Sequence, residues 1–167
     1  ANAPEVEDQA DKTSVDDLLG EARYHTVLTQ EDWDVLFKRL STEKRFAFDT
    51  ETTSLDYRVA QVVGFSVALD AHDAYYVPLA HDYEGAPVQL DRDTILNQLK
   101  PLLEDNDVQK IGHHLKYDAH VLENHGIHLA GWYFDTMLAS YVLNSVATRH
   151  GMDGVARLYL SHLTTTF

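Results

Sequence analysis

The sequence contains no cysteine, so neither a disulfide framework nor a cysteine-based zinc site is available to it. No apolar run approaches the roughly 18 to 20 residues that a membrane-spanning helix needs. The N-terminus also lacks the charged segment followed by an apolar segment that is typical of a secretion signal. These absences predict a soluble, unexported protein of the cytoplasm that has no membrane partner.

Basic residues are also scarce, because 13 Lys and Arg stand against 27 Asp and Glu and give a formal net charge of -14. This balance argues against a nucleic-acid partner held mainly through its phosphates. Residues 1–22 are the most acidic segment, and they combine seven acids and one base with small residues and Pro4. We interpret them as a flexible linker that leads in from an upstream domain. The remainder is still acidic, so a nucleic-acid role requires bound cations or a basic surface on another domain.

The length of 167 residues and the hydrophobic content of 44% suit one domain with a single core, which we place at residues 23–167. Runs of β-branched and aromatic residues predict strands at 24–28, 45–49, 61–69, 74–79, 108–111 and 132–134. Capping residues and helical apolar spacing predict helices after Thr29 and at 91–104, 115–125, 136–143 and 151–160. The second, third and fourth strands form a predicted antiparallel unit. The order of elements predicts a mixed α/β sheet with helices on its faces.

Two carboxylates close the strand that begins at Arg45. Asp49 and Glu51 are two positions apart, so strand geometry directs both side chains to the same face. Paired carboxylate oxygens suit a hard divalent cation. On its own, however, such a pair is more often a solvated acid pair or a cap.

A second candidate segment is Gly112 to Asp118, which follows a short strand and opens a helix. His114 and Asp118 are four positions apart and share a helix face. Taken alone, Asp118 is equally explained as an ordinary acid of the first helical turn and His114 as a capping or surface residue.

Several segments, in the same order and spacing, resemble the 3′→5′ proofreading exonuclease domain of bacterial DNA polymerase I. They are Phe48-Asp49-Thr50-Glu51-Thr52 through Leu55, Ala80 to Tyr83, Leu115-Lys116-Tyr117-Asp118, Phe134-Asp135-Thr136-Met137-Leu138, Ser140 to Ala147 and Arg149 to Asp153. The resemblance extends from about Tyr24 to Phe167 and therefore covers nearly all of the chain outside the predicted linker.

The resemblance implies a ribonuclease-H-like fold and a two-metal site, in which Asp49, Glu51 and Asp118 are catalytic residues and metal ligands. It further implies Mg²⁺ or Mn²⁺ as the ions, with Zn²⁺ as an alternative at one position. The implied substrate is the single-stranded 3′ end of DNA. The implied covalent partners are a downstream polymerase domain and an upstream 5′ nuclease domain, in a bacterial protein that works at the nucleoid.

The resemblance also places six residues against the substrate: Thr52, Leu55, His113, His114, Tyr117 and Phe167. Leu55 is expected to wedge against the base of the 3′-terminal nucleotide. Tyr117 and Phe167 are expected to make aromatic contacts with the DNA. For Leu55 and Phe167 the alternative explanation is packing in the core.

The family pattern is broken in two places. Its third motif, Tyr-x-x-x-Asp, supplies a fourth carboxylate, and no tyrosine in this sequence has Asp four residues later. We therefore expect a domain truncated on its C-terminal side, which binds metal weakly and cleaves poorly. His114 stands where the family usually has Asn, and its imidazole titrates near neutral pH and ligates transition metals.

Other interpretations of these residues remain open. The 114–118 segment also matches a His-x-x-x-Asp motif of a related exonuclease subclass, although the acidic motif expected before it is missing. A ribonuclease D-type RNA exonuclease and a non-catalytic, exonuclease-like scaffold domain are the alternative functions.

Three further histidines and one further acid are assigned structural roles. His120, His125 and His128 are expected to be scattered surface residues rather than a zinc site, because no carboxylate or thiolate completes a ligand set. Asp135 is expected to cap a helix rather than to serve as a fourth metal ligand.

Overall fold

A computed structural model of the chain describes residues 22–164. Residues 1–21, which form nearly all of the predicted linker, and the predicted substrate residue Phe167 lie outside the described residues.

The described residues form a mixed six-stranded sheet, as the sequence predicted. The strands are β1 (Arg23–Thr26), β2 (Arg45–Thr52), β3 (Val62–Ala68), β4 (Asp73–Pro78), β5 (Gln109–Gly112) and β6 (Trp132–Asp135). Their spatial order is β1-β4-β3-β2-β5-β6. The β2–β3 and β3–β4 pairs are antiparallel, which confirms the predicted unit, whereas β1–β4, β2–β5 and β5–β6 are parallel.

Five helices accompany the sheet in this part of the chain: α1 (Gln30–Leu40), α2 (Arg92–Leu103), α3 (Leu115–Glu123), α4 (Thr136–Leu143) and α5 (Met152–Leu160). The predicted cap at Thr29 is present, since its side chain accepts a hydrogen bond from the Asp32 amide. Asp91 caps α2 in the same way, because its side chain accepts a hydrogen bond from the Thr94 amide. No helix between residues 22 and 164 is both long and apolar enough to cross a membrane.

Successive side chains of β2 point to opposite faces of the sheet, so its core-facing residues alternate with its acidic residues. Phe46, Phe48 and Thr50 are buried, whereas Asp49 is only partly buried and Glu51 is exposed. Buried side chains of β3, α1, α2 and α3 join the two phenylalanines in one apolar cluster. The core therefore fixes the strand that carries the two acids.

The end of β2 is irregular. Glu51 pairs with Gly64 across the β2–β3 ladder, but the next residue, Thr52, pairs with Val62, so one residue of β3 is skipped. An extra residue of this kind bends the strands locally and redirects the side chains beside it. The irregularity lies at the point where β2 leaves the sheet with its acidic residues.

Candidate active site

The end of β2 and the start of α3 border a cleft of about 520 Å³. Its lining residues are Asp49, Thr50, Glu51, Thr52, Thr53, Ser54, Leu55, His113, His114, Tyr117, Asp118 and Met152. Every predicted site residue that the structure describes lies in this cleft. Because β2 and β5 are parallel neighbours, their carboxyl ends meet at one edge, which brings the two sequence segments together.

Asp49 is the most perturbed of the three predicted carboxylates. Its burial is the largest cause and raises its pKa from 3.8 to about 7, and the negative charges of Asp118 and Glu51 add to the effect. Asp49 therefore shares the cleft with two acids whose negative charges disfavour its ionised form.

Asp118 is buried in the first turn of α3, with 2% of its surface exposed. Its Oδ1 accepts hydrogen bonds from the Thr50 amide at 3.0 Å and from the Thr50 hydroxyl at 2.6 Å. Burial raises the pKa of Asp118 to about 6, although the Thr50 bonds favour the charged form. The rotamer of Asp118 is thus fixed by the residue that separates Asp49 from Glu51.

Thr50 was not among the residues predicted from the sequence. A polar residue on the core-facing side of β2 nevertheless requires a hydrogen-bond partner, because buried hydroxyls are rarely left unsatisfied. That requirement was visible in the sequence pattern, but the identity of the partner was not.

Asp135 anchors the beginning of both helices that flank the cleft. Its carboxylate accepts hydrogen bonds from the Met137 and Leu138 amides of α4, which confirms the predicted helix cap. It also accepts bonds from the His114 amide at 3.2 Å and the Leu115 amide at 2.8 Å. A single carboxylate therefore caps α4 and positions the start of the helix that carries Asp118.

The two adjacent histidines have different environments. His113 is partly buried, its Nδ1 lies 2.8 Å from the Thr136 hydroxyl, and its Nε2 is buried without a partner among the described residues. Burial is the main cause that lowers the pKa of His113. His114 is exposed, adopts the left-handed conformation with φ of 70°, and stacks its ring beside Tyr117. Histidine is one of the residues that tolerate this conformation best, as is the Asn that the family usually has there.

Tyr117 supports the turn that follows β2. Its hydroxyl donates to the Ser54 carbonyl at 2.5 Å and lies 2.6 Å from the Thr52 hydroxyl. The turn presents Leu55, which is 94% exposed. The alternative that Leu55 packs in the core is therefore wrong.

Of the three histidines expected at the surface, His120 and His125 are partly buried instead. His120 is partly buried and stacks on Tyr57, with ring centroids 4.5 Å apart. The His125 Nε2 is also partly buried and accepts a hydrogen bond from the Val62 amide. His128 is exposed, as expected. Ring packing and an acceptor bond to a strand amide account for the two partly buried histidines.

The donor atoms of the cleft suit a hard divalent cation, because Asp49, Glu51 and Asp118 supply carboxylate oxygens. A cation would also offset the burial and the neighbouring negative charges that together raise the pKa of Asp49. Between residues 22 and 164, no three His, Asp or Glu side chains are grouped so that they could hold a metal ion.

The solved structures that resemble this fold include two nucleases. RNase D of Trypanosoma brucei superposes with a TM-score of 0.64 at 18% identity, over 86% of this chain and 49% of that one. Brucella melitensis NrnC with bound Mg²⁺ superposes with a TM-score of 0.61 at 20% identity, over 88% of this chain and 65% of that one. At these identities the likeness shows the fold alone, and it confirms the ribonuclease-H-like α/β class.

Sequence comparison is more specific. The chain is 53% identical over 152 residues to DNA polymerase I of Pseudomonas aeruginosa, which covers 90% of this chain but only 17% of that protein. The sequence model of the 3′-5′ exonuclease family matches residues 24–167, which include both segments that line the cleft. The chain therefore belongs to the 3′-5′ exonuclease family, as the exonuclease domain found in DNA polymerases I.

Proposed function

We propose that this domain is the proofreading 3′→5′ exonuclease of a DNA polymerase I and removes nucleotides from the single-stranded 3′ end of DNA. Asp49, Glu51 and Asp118 are the proposed catalytic carboxylates. The observation that carries the proposal is their convergence in one cleft, where burial raises the pKa of both aspartates. Strongly perturbed acids in a cleft are characteristic of functional sites.

The same three residues are the proposed ligands of Mg²⁺ or Mn²⁺, with Zn²⁺ as the alternative at one position. The NrnC structure, which contains Mg²⁺, supports the use of a divalent ion in this fold. When bound, such ions activate the attacking water and stabilise the charge that develops on the phosphate and the departing 3′ oxygen.

The residues around the acids hold the proposed catalytic groups in place. Thr50 fixes one oxygen of Asp118, and Asp135 fixes the start of its helix. Tyr117 braces the turn that presents Leu55, whose exposed apolar side chain is suited to pack against a base. Thr52, His113 and His114 line the same cleft and are the remaining proposed substrate contacts, together with Phe167.

The choice of DNA over RNA rests on sequence similarity. The likeness to RNase D is confined to the fold at 18% identity, whereas the likeness to DNA polymerase I reaches 53%. DNA is therefore the proposed substrate, and ribonuclease D-like RNA degradation is the alternative.

The chain spans 17% of the length of the Pseudomonas relative, and that relative is a bacterial polymerase. We propose that the domain is linked to a downstream polymerase domain and an upstream 5′ nuclease domain, in the cytoplasm at the nucleoid. We propose that the fourth carboxylate and a basic surface that binds DNA are supplied by sequence beyond Phe167. By this proposal the 167-residue chain binds metal weakly and cleaves slowly.

A cleavage assay tests the substrate. Single-stranded DNA and RNA of equal sequence, labelled at the 5′ end, are incubated with Mn²⁺ and either the 167-residue chain or a polypeptide extended past Phe167. We expect stepwise shortening of DNA from its 3′ end, slow with the former and faster with the latter. Faster digestion of RNA would favour the ribonuclease D-like function.

Metal titration tests the site independently of turnover. Saturable Mn²⁺ binding is expected to weaken at least about tenfold in Asp49→Asn and Asp118→Asn, because each change replaces a charged carboxylate ligand by a neutral amide. Glu31→Gln, which alters an exposed acid on α1, is the matched control and should bind Mn²⁺ like the parent. If the extended polypeptide shows no binding that depends on the two aspartates, the domain is a non-catalytic scaffold.

A further inference from the structure

A second pocket, also of about 520 Å³, adjoins the cleft. It is lined by Thr26, Glu51, Tyr76, Pro78, His81, Tyr83 and Pro87. Glu51 lines both spaces, so the pocket begins where the acidic cleft ends. A group bound beside Glu51 in the cleft therefore lies next to the mouth of this pocket.

The inner wall of the pocket depends on Gly64. This glycine faces Glu51 across the β2–β3 ladder, and a Cβ at its position would overlap the Tyr76 hydroxyl. The missing side chain lets the Tyr76 ring lie over the strand, where its hydroxyl is hydrogen-bonded to the His81 Nε2. The Tyr76 and His81 rings are thereby fixed relative to the acidic end of β2.

The outer wall is an exposed aromatic ring on a restrained loop. The Gln89 amide group holds the backbone of His81 on both sides, because it accepts from the His81 amide and donates to the His81 carbonyl, each at 2.8 Å. The His81 ring packs against Tyr83, with centroids 5.9 Å apart and planes inclined at 58°. Tyr83 is nevertheless 60% exposed. Packing accounts for Tyr76 and His81 but leaves most of the Tyr83 surface without a protein contact.

The composition of the pocket suits an uncharged planar group. Apart from Glu51, its lining consists of aromatic, proline, threonine and histidine side chains. Glu51 repels a phosphate, whereas aromatic faces bind nucleobases by stacking and tolerate any base. An aromatic ring that is already oriented also loses little conformational entropy on binding.

We propose that this pocket, which we call the Tyr83 pocket, binds the base of a nucleotide upstream of the 3′-terminal one, with Tyr83 as the stacking surface. The inference rests on the proposed function, because it assumes that a single strand occupies the cleft. By this proposal Leu55 and Tyr83 contact different nucleotides on the two sides of the acidic residues.

Equilibrium binding of a labelled short oligothymidylate whose terminal linkage resists hydrolysis tests the proposal, with Mg²⁺ present. Tyr83→Ala in the 167-residue chain is expected to weaken binding about tenfold, whereas Tyr83→Phe retains the ring and should stay within about twofold. The variants are not expected to change the affinity for thymidine monophosphate, which fills only the terminal site. Tyr24→Ala, which removes another exposed tyrosine that lies outside the pocket, is the matched control.

Oligonucleotides that lack the base at one defined position show which nucleotide contacts Tyr83. In the parent chain, one internal abasic position should reduce affinity about as much as Tyr83→Ala does, and in Tyr83→Ala the same position should no longer matter. Equal losses of affinity in Tyr83→Ala and Tyr24→Ala would contradict the proposed base-binding pocket but not the proposed function. The same holds if the effect of the abasic position persists in Tyr83→Ala. If the parent chain binds no DNA strand, the pocket and the proposed function both fail.

Discussion

Residues 22–129, which we call the packed region, and residues 130–164, the open region, bury their apolar side chains to different extents. Every buried apolar residue of the described chain lies between Val27 and Leu129. In the open region the buried residues are polar, namely Ser140 and His150. Its exposed apolar residues are Trp132, Tyr133, Phe134, Leu138, Tyr141, Val142, Leu143, Val146, Met152, Leu158, Tyr159, Leu160 and Leu163. The packed region is thus stabilised by the burial of apolar side chains, whereas the open region depends on other contacts.

Polar contacts hold the open region in place. Asp135 bonds four backbone amides across the junction of the two regions. The buried His150 bonds the Ser140 hydroxyl at 2.9 Å and the Ser145 carbonyl at 3.1 Å, which ties the α4–α5 connection together. The candidate active site lies at this junction, because its acids belong to the packed region while Asp135 and Met152 come from the open one. Its geometry therefore depends both on the core, which fixes β2, and on the polar contacts of Asp135.

The largest expected effect is a contrast between two phenylalanines, one in each region. Phe48→Ala should lower the free energy of unfolding by about 3 to 5 kcal/mol, because it leaves a cavity in the core. Phe134→Ala removes a ring that is 47% exposed and should cost about 1 kcal/mol or less. Urea unfolding followed by circular dichroism measures both. Equal losses would mean that the open region is buried in solution, for instance against a second copy.

Asp135→Ala tests the junction itself and should cost about 2 to 3 kcal/mol, because four amides lose a charged acceptor. Asp135→Asn keeps one carbonyl acceptor and should cost roughly half as much. Amide hydrogen exchange should accelerate at Leu115 and Met137 before it does at core amides such as that of Phe65. Unchanged exchange at Leu115 would show that α3 does not depend on the open region.

Asp49→Asn should change the free energy of unfolding by an amount that depends on pH. The raised pKa of about 7 means that the folded state favours the protonated form. The resulting stability is fully present below the unfolded value near 3.8 and is lost as pH rises through about 7. Without divalent ions, Asp49→Asn should therefore be more stable than the parent at pH 8, by on the order of 2 kcal/mol, and the difference should shrink towards pH 5.

Thermal unfolding at several pH values in the presence of a chelator measures this difference. Glu31→Gln on α1 is the control for removal of one negative charge, and its offset from the parent should be small and similar at pH 5 and pH 8. Parallel curves for Asp49→Asn and the parent would contradict the desolvation of Asp49.

Local pattern was sufficient for most of the fold and for the position of the candidate site. The caps at Thr29 and Asp91 and the helix that begins at Thr136 follow from contacts within a few residues. The antiparallel β2–β3–β4 unit joins strands that are consecutive along the chain. The split between a packed and an open region did not follow from the sequence, because Leu138 and Val142 have the same apolar character as core residues. Exposure depends on what packs over a side chain, and local pattern does not specify that.

The sequence by itself determined that Asp49 and Glu51 share a face, because the period of two in a strand is a local property of the backbone. Only the tertiary structure decided that Thr50, between them, holds Asp118, since these two residues are 68 positions apart. It likewise decided that Asp135 positions the start of α3, 20 residues earlier in the chain. A hydrogen bond between distant segments requires both strands and helices to be in place, and no local pattern encodes that arrangement.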